Sequence, residues 1–179
     1  GVSGPELVWT IVVAGGTGER FGAPKQYELL DDARRVIDVS RAVAEQESDG
    51  VVVVVPAPDA EREHGVSGGA TRSDSVRAGL AAVPADATIV CVHDAARPLA
   101  GVDLYDRVVD AVRGGADGAV PGVAVTDTIK VVADHVVTAT LDRSTLVAVQ
   151  TPQAFRASVL RRAHAASGAA TDDAALVES

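Results

Sequence analysis

The chain has 179 residues, a formal charge of −9 and one cysteine, and aromatic side chains make up only 3% of it. That length suits a single domain with one core, built here from small aliphatic residues. The acidic balance argues against nonspecific binding to nucleic acid or to an anionic membrane, and a lone cysteine excludes an internal disulfide and a multi-cysteine metal site.

Gly1 to Pro5 reads as a disordered end. No run approaches ~18 continuous apolar residues and no basic-then-apolar leader precedes the first strand, so a soluble, cytoplasmic protein is expected. Leu7 to Ala14 is a continuous apolar run, the pattern of a strand buried on both faces. It stops at Gly15-Gly16 and continues through Gly18 and Gly22, with two isolated cations, Arg20 and Lys25, close behind. Glycines let backbone N–H groups approach an anion, Arg20 offers a planar fork of donors and Lys25 a mobile point charge. The stretch therefore suits a polyphosphate, and the alternative is a glycine-rich strand-to-helix turn with two solvated cations. The dinucleotide fingerprint G-x-G-x-x-G fails, because Phe21 stands where its third glycine belongs. The Walker pattern fails as well, since no Gly-Lys-Ser/Thr closes the loop.

Val36 to Glu47 has helical spacing, and Val51 to Val55 is a second buried strand ended by Pro56. Two βα units in series imply a parallel sheet with right-handed crossovers. In Gly65 to Val83, Ser73 can cap a helix whose inner face is Val76, Gly79, Leu80 and Val83, with Gly68-Gly69 in the turn before it. Ile89 to His93 is a third strand running into Asp94-Ala95-Ala96-Arg97, and Cys91 within it reads as a buried, inert thiol. An Asp at the carboxyl end of a central parallel strand sits where open α/β sheets bind ligands and metals; alternatively Asp94 caps a helix and pairs with Arg97. Val102 to Val112 is an amphipathic helix, and Gly118 to Val125 a fourth strand.

Beyond it the rhythm changes. Residues 127–145 read as two β segments around a polar turn, Ala133-Asp134-His135, a hairpin arm leaving the α/β body. Val147 to Gln153 returns the chain to the body, Ala154 to Ser167 is helical, and Thr171 caps a last short helical start. His64, His135 and His164 share no ligand spacing and are expected at the surface.

Four segments in order, AGGTGERFGAPKQ, GGATRSDSVRAGL, HDAARP, and DTIK followed by LDR and TPQAF, resemble the 2-C-methyl-D-erythritol 4-phosphate cytidylyltransferases, and the first loop resembles Rossmann-like nucleotidyltransferases in general. The resemblance spans nearly the whole chain. It implies an α/β, Rossmann-like nucleotidyltransferase fold in one domain over residues 1–179, a mostly parallel sheet flanked by helices, with a protruding β-arm at about 127–145. It implies CTP across the carboxyl edge of the sheet, held by Ala14, Gly15, Gly16, Gly18, Gly69, Ser75, Asp94 and Ala95. It further implies Mg²⁺ or another divalent cation beside Asp94, and Arg20 and Lys25 as the catalytic cations at the α-phosphorus. Thr128 and Arg143, reaching from the arm into a neighbouring subunit of a homodimer, would bind methylerythritol phosphate, with Arg97 supporting them. No nucleic acid or membrane partner is expected.

Two loops, between Arg20 and Lys25 and between Asp59 and Val66, are shorter than the family pattern. The family also continues past the Thr-Asp-Asp-Ala stretch into a strand and a helix carrying a Lys and an Asp of the site, and we expect the natural protein to supply these as mobile segments. Ala70 stands where some relatives have an acidic residue, so no base contact is assigned to it. The rival readings are a ribitol 5-phosphate cytidylyltransferase, with the same nucleotide motifs, and a non-catalytic CTP-binding module.

Overall fold

A computed structural model describes residues 6–15, 24–166 and 173–178. In chain order its elements are β1 (Val8–Val13), α1 (Val36–Glu47), β2 (Gly50–Val55), β3 (Val66–Ser67), α2 (Arg72–Ala82), β4 (Ile89–Asp94), α3 (Val102–Arg113), β5 (Gly118–Ala119), β6 (Gly122–Ala124), β7 (Lys130–Ala133), β8 (Val136–Thr140), β9 (Val147–Val149), β10 (Gln153–Arg156), α4 (Ala157–Ala166) and α5 (Asp173–Glu178). Six of the strands form the central sheet in the order β3-β2-β1-β4-β10-β5. The β3, β2, β1 and β4 pairings are parallel, and β10 runs antiparallel to both of its neighbours, β4 and β5.

The apolar runs are continuous because both faces of the sheet are covered. Alternate residues of β2 and β4 go to opposite sides. Val53, Val55, Ile89 and Cys91 join Ile37 of α1 and Tyr105, Val108, Val109 and Val112 of α3. Val52, Val54, Val90 and Val92 join Val76 and Leu80 of α2 and Leu160 of α4. Helix α2 lies so close to the sheet that a Cβ on Gly79 would stand 2.5 Å from Ile11 Cγ2 and 2.9 Å from Val54 Cγ2. Glycine at this position is therefore a packing requirement. Cys91 is fully buried and its thiol pKa is pushed up to about 12 by burial, as an inert core cysteine should be.

The arm is a hairpin of β7 and β8 joined through Asp134 and His135, whose φ angles of 48° and 64° suit the two-residue turn that matches strand twist. Its base is the antiparallel pair of β6 and β9. Both pairs stand apart from the central sheet, and Val123, Val132, Val136, Val137 and Val147 are each more than half exposed.

Four expectations change. The stretch 118–125 is two short strands rather than one, interrupted at Pro121, which lacks an amide for the ladder. Gln153–Arg156 is a sheet strand, and helix begins only at Ala157. Thr71, not Ser73, caps α2: its hydroxyl accepts from the Asp74 N–H at 3.1 Å while Asp74 accepts from the Thr71 N–H at 3.2 Å. His164 is buried, not superficial. The proposed cap at Thr171 lies outside the described residues.

Candidate active site

Strands β1, β2 and β4 end together at one edge of the sheet, as parallel neighbours in register must. The chain leaving β1 is held there by the Ala14 N–H donating to the Val54 carbonyl at 2.7 Å. The chain leaving β4 is held by the Ala95 N–H donating to the Val13 carbonyl at 2.9 Å, and the Ala95 carbonyl accepts from Ser40 Oγ of α1 at 2.8 Å. On the other flank the Gly68 N–H donates to the Val55 carbonyl at 2.8 Å, which turns the chain toward α2. The capped first turn of α2 then buries Ser75 beneath that turn, where its Oγ accepts from the Gly69 N–H at 3.2 Å. A Cβ would meet Ser75 Oγ at 2.7 Å from Gly68 and at 3.3 Å from Gly15, so the serine hydroxyl lies between the two glycine segments. Ala14, Gly15, Gly69, Ser75, Asp94 and Ala95 thus converge at one edge. Gly16, Gly18 and Arg20 lie outside the described residues.

Lys25 is exposed, in a single 3-10 turn spanning Lys25–Tyr27. The following segment is tied to the body by Tyr27, whose hydroxyl donates to Asp59 Oδ2 at 2.7 Å, and by Arg35, which forks between Asp38 and the buried Glu63. Burial first, then the Asp59 hydrogen bond, push the Tyr27 phenol up to about 12. The arm residues Thr128 and Arg143 are exposed and, among the described residues, share no hydrogen bond or ion pair with the sheet-edge group; Arg143 donates to the Thr126 carbonyl of its own arm. Arg97 does not pair with Asp94. Its side chain donates to Gln150 Oε1, and only its backbone N–H reaches the Asp94 carbonyl, at 3.0 Å.

Asp94 is held from two sides by residues to which the sequence reading gave no role. Its backbone N–H donates to Thr151 Oγ1 at 3.1 Å, and that hydroxyl meets His93 Nδ1 at 2.9 Å. Its carboxylate Oδ1 accepts from Arg72 Nε at 3.2 Å and Nη2 at 3.1 Å. Arg72 Nη1 turns the other way, donating to Asp173 Oδ2 at 2.8 Å, and Asp173 Oδ1 meets His164 Nε2 at 2.9 Å. Burial alone would raise the Asp173 pKa, but the His164 hydrogen bond and the Arg72 charge outweigh it and hold the carboxyl below its ordinary value. Arg72 and Asp173 both lie within quoted motifs, GGATRSDS and TDDA, but their spacing says nothing of their meeting.

A mostly parallel α/β sheet with glycine turns and a carboxylate converging at the carboxyl ends of its central strands defines an open α/β protein of the kind that binds ligands at that edge. The family model for IspD, 2-C-methyl-D-erythritol 4-phosphate cytidylyltransferase, matches residues 8–179, and the chain belongs to that cytidylyltransferase family of isoprenoid synthesis. The 2-C-methyl-D-erythritol 4-phosphate cytidylyltransferase of Nocardia farcinica is 45% identical over 96% of this chain and 80% of its own length. A bifunctional IspD/IspF enzyme of Oleidesulfovibrio alaskensis is 40% identical over 95% of this chain, which spans only 49% of that larger protein. The crystal structure of the Thermus thermophilus 2-C-methyl-D-erythritol 4-phosphate cytidylyltransferase superposes with a TM-score of 0.79 at 29% identity, covering 94% of this chain and 82% of the other.

Proposed function

We propose that the protein transfers the cytidylyl group of CTP to 2-C-methyl-D-erythritol 4-phosphate, releasing pyrophosphate, as a cytoplasmic homodimer dependent on a divalent cation. The observation that carries this reading is the convergence of Ala14-Gly15, Gly69, Ser75 and Asp94 at one sheet edge in a chain of this family. An oxygen of the acceptor phosphate attacks the α-phosphorus, the bond to the bridging oxygen breaks, and pyrophosphate leaves with the electron pair. Such a transfer needs positioning and charge neutralisation more than a protein nucleophile. Cys91, buried with its pKa near 12, is no rival for the role.

The glycine segments and Ser75 hold the nucleotide. Arg20 and Lys25 offset the charge that develops at the α-phosphate. The residues present fit Mg²⁺. Asp94 offers one partly exposed carboxylate whose Oδ1 is taken by Arg72, leaving its other oxygen for an ion. That suits an ion that keeps waters and phosphate oxygens and takes only one or two protein carboxylates. When bound, the ion neutralises triphosphate charge. Dimerisation is supported by the arm's exposed valines, an apolar surface that stands clear of its own core. Thr128 and Arg143 would then serve the partner's acceptor, with Arg97 supporting the clamp.

The test is pyrophosphate release with CTP and Mg²⁺, comparing methylerythritol 4-phosphate with ribitol 5-phosphate. We expect preference for the first, and a fall of about 10²-fold or more for Arg20→Ala or Lys25→Ala with unchanged melting, the scale of losing one preorganised electrostatic group. Preference for ribitol 5-phosphate would change the acceptor, CTP binding without release would leave a binding module, and normal turnover in either variant would remove the mechanism.

A further inference from the structure

We propose that Arg72 and Asp173 are positioning residues for the transfer: Asp173 of α5, braced by His164, aims the Arg72 guanidinium, and Arg72 holds one oxygen of Asp94 so that the other remains for the ligand. This rests on the cytidylyl-transfer reading and adds to it two residues, 101 positions apart in sequence, that the fold brings into contact.

The geometry carries the argument. A guanidinium is planar and presents its donors in fixed directions. Here Nε and Nη2 both converge on Asp94 Oδ1, at 3.2 and 3.1 Å, while Nη1 is engaged by Asp173 at 2.8 Å. With both sides of the fork occupied, Arg72 cannot swing without breaking a contact, and the Asp94 carboxylate is turned with it. Burial is graded along the chain of contacts. Side-chain exposure is 33% at Asp94, 26% at Arg72 and 1% at Asp173. The anchoring group is in the core and the group it orients is at the ligand edge. A second brace fixes the other end of the same residue, since the Asp94 N–H is bonded to Thr151.

A purely architectural role explains this less well. Helix α5 already docks through buried Leu176, with Ala174 and Val177 packed on the core. An apolar side chain at position 173 would serve that docking as well, because replacing a buried ion pair with well-packed hydrophobic residues is often neutral or stabilising. What an apolar residue could not do is orient an arginine.

The experiment uses the full chain and three readouts, namely pyrophosphate release, calorimetric affinity for CTP with Mg²⁺, and melting temperature. Asp173→Asn is expected to lower kcat/KM by on the order of 10²-fold, the scale of a small misplacement in a catalytic constellation. The same change in an Arg72→Ala background should add little, since its path runs through Arg72. Because Asp173→Asn removes the buried carboxylate that Arg72 and His164 both engage and can unfold the chain, the double variant Arg72→Leu/Asp173→Leu is made beside it. It is expected to melt near the wild type yet remain slow and bind CTP weakly. Recovery of both melting and turnover in the double variant, or unchanged turnover and affinity in a folded Asp173→Asn, overturns the proposal. Should the wild type bind CTP without releasing pyrophosphate, while Asp173→Asn or the double variant loses that affinity, the transfer reading falls and the positioning role stands.

Discussion

Lowering the pH from 7 to about 5 should destabilise the nucleotide-free protein through one residue, His93. Its ring is 1% exposed, packed edge-on against Tyr105 with centroids 5.8 Å apart. Burial lowers its pKa from 6.5 to about 4, a shift only partly opposed by the neighbouring Asp94 carboxylate. Its hydrogen bond agrees with a neutral ring. Thr151 Oγ1 already accepts from the Asp94 N–H, so the hydroxyl proton is available to His93 Nδ1, which can accept it only when unprotonated. The unfolded chain takes up a proton as the pH falls through 6.5, and the folded chain does not until about 4. Stability from this residue is therefore intact above pH 6.5, declines with each step below it, and is fully lost below the folded value. At about pH 5 the loss is ~2 kcal/mol, or about 1.4 kcal/mol for each of ~1.5 pH units. That is a large share of a typical domain's ~5–15 kcal/mol. Urea unfolding followed by the single tryptophan, Trp9 of β1, measures it, with His93→Asn as the comparison. Asparagine keeps a polar atom near the Nδ1 position but does not titrate. The variant is less stable at pH 7, and the decisive quantity is its shallower pH dependence. Equal losses in the two proteins between pH 7 and about 5 would refute the assignment. Asp173 does not blur the window, because its contribution is lost only as the pH falls below the ordinary carboxylate value of 3.8 and through its still lower folded value.

Two further outcomes are expected. Gly79→Ala drives a methyl against Ile11 and Val54, contacts of 2.5 and 2.9 Å before relaxation, and should cost roughly 1–3 kcal/mol of stability by overpacking, read as a lower urea midpoint with unchanged slope. Mixing equal amounts of Lys25→Ala and Arg143→Ala subunits, each nearly inactive alone, should restore about a quarter of wild-type turnover, because half the two-fold dimers are mixed and each of those has one intact site; no recovery after subunit exchange would remove the trans role of Arg143.

Where residues meet their surroundings through local rules, they were legible in the sequence. The run Ile89 to Val92 had to be a strand with both faces covered, and Val36 to Glu47 carries its own helical period to its observed ends. The capping box of α2 was present as Thr71-x-x-Asp74, and it outranks Ser73 because two reciprocal hydrogen bonds beat one. Gln153–Arg156 was not legible. Four residues are too few to show alternation, and strand is chosen there by antiparallel pairing with β4. His164 looked superficial because it lies on a helix and shares no ligand spacing with the other histidines; its burial follows from α5 packing on α4 and bringing Asp173 within 2.9 Å. Nothing in the spacing of Arg72 and Asp173 could announce their ion pair, which is a product of topology alone.

The charges at the sheet edge divide the proposed site into two halves with different tasks. In one half, two carboxylates, the partly exposed Asp94 and the buried Asp173, share one guanidinium, Arg72, so this half holds shape but cannot attract a triphosphate. An anion drawn to a chain with a net charge of −9 needs local countercharge where it binds. Lys25 stands exposed on the segment after the glycine loop, and in the proposed reaction Arg20 and a divalent cation join it. Such charges can approach the phosphates as the nucleotide arrives, whereas a cation preset in the interior would carry a desolvation cost whenever the site was empty. In the proposed reading the base end can be preorganised, because Ser75 and the glycine turn would recognise it without charge. In the proposed reaction the phosphate end is assembled on binding by cations supplied from the loop and the metal, while Asp94 of the sheet and Asp173 of α5 are locked by Arg72.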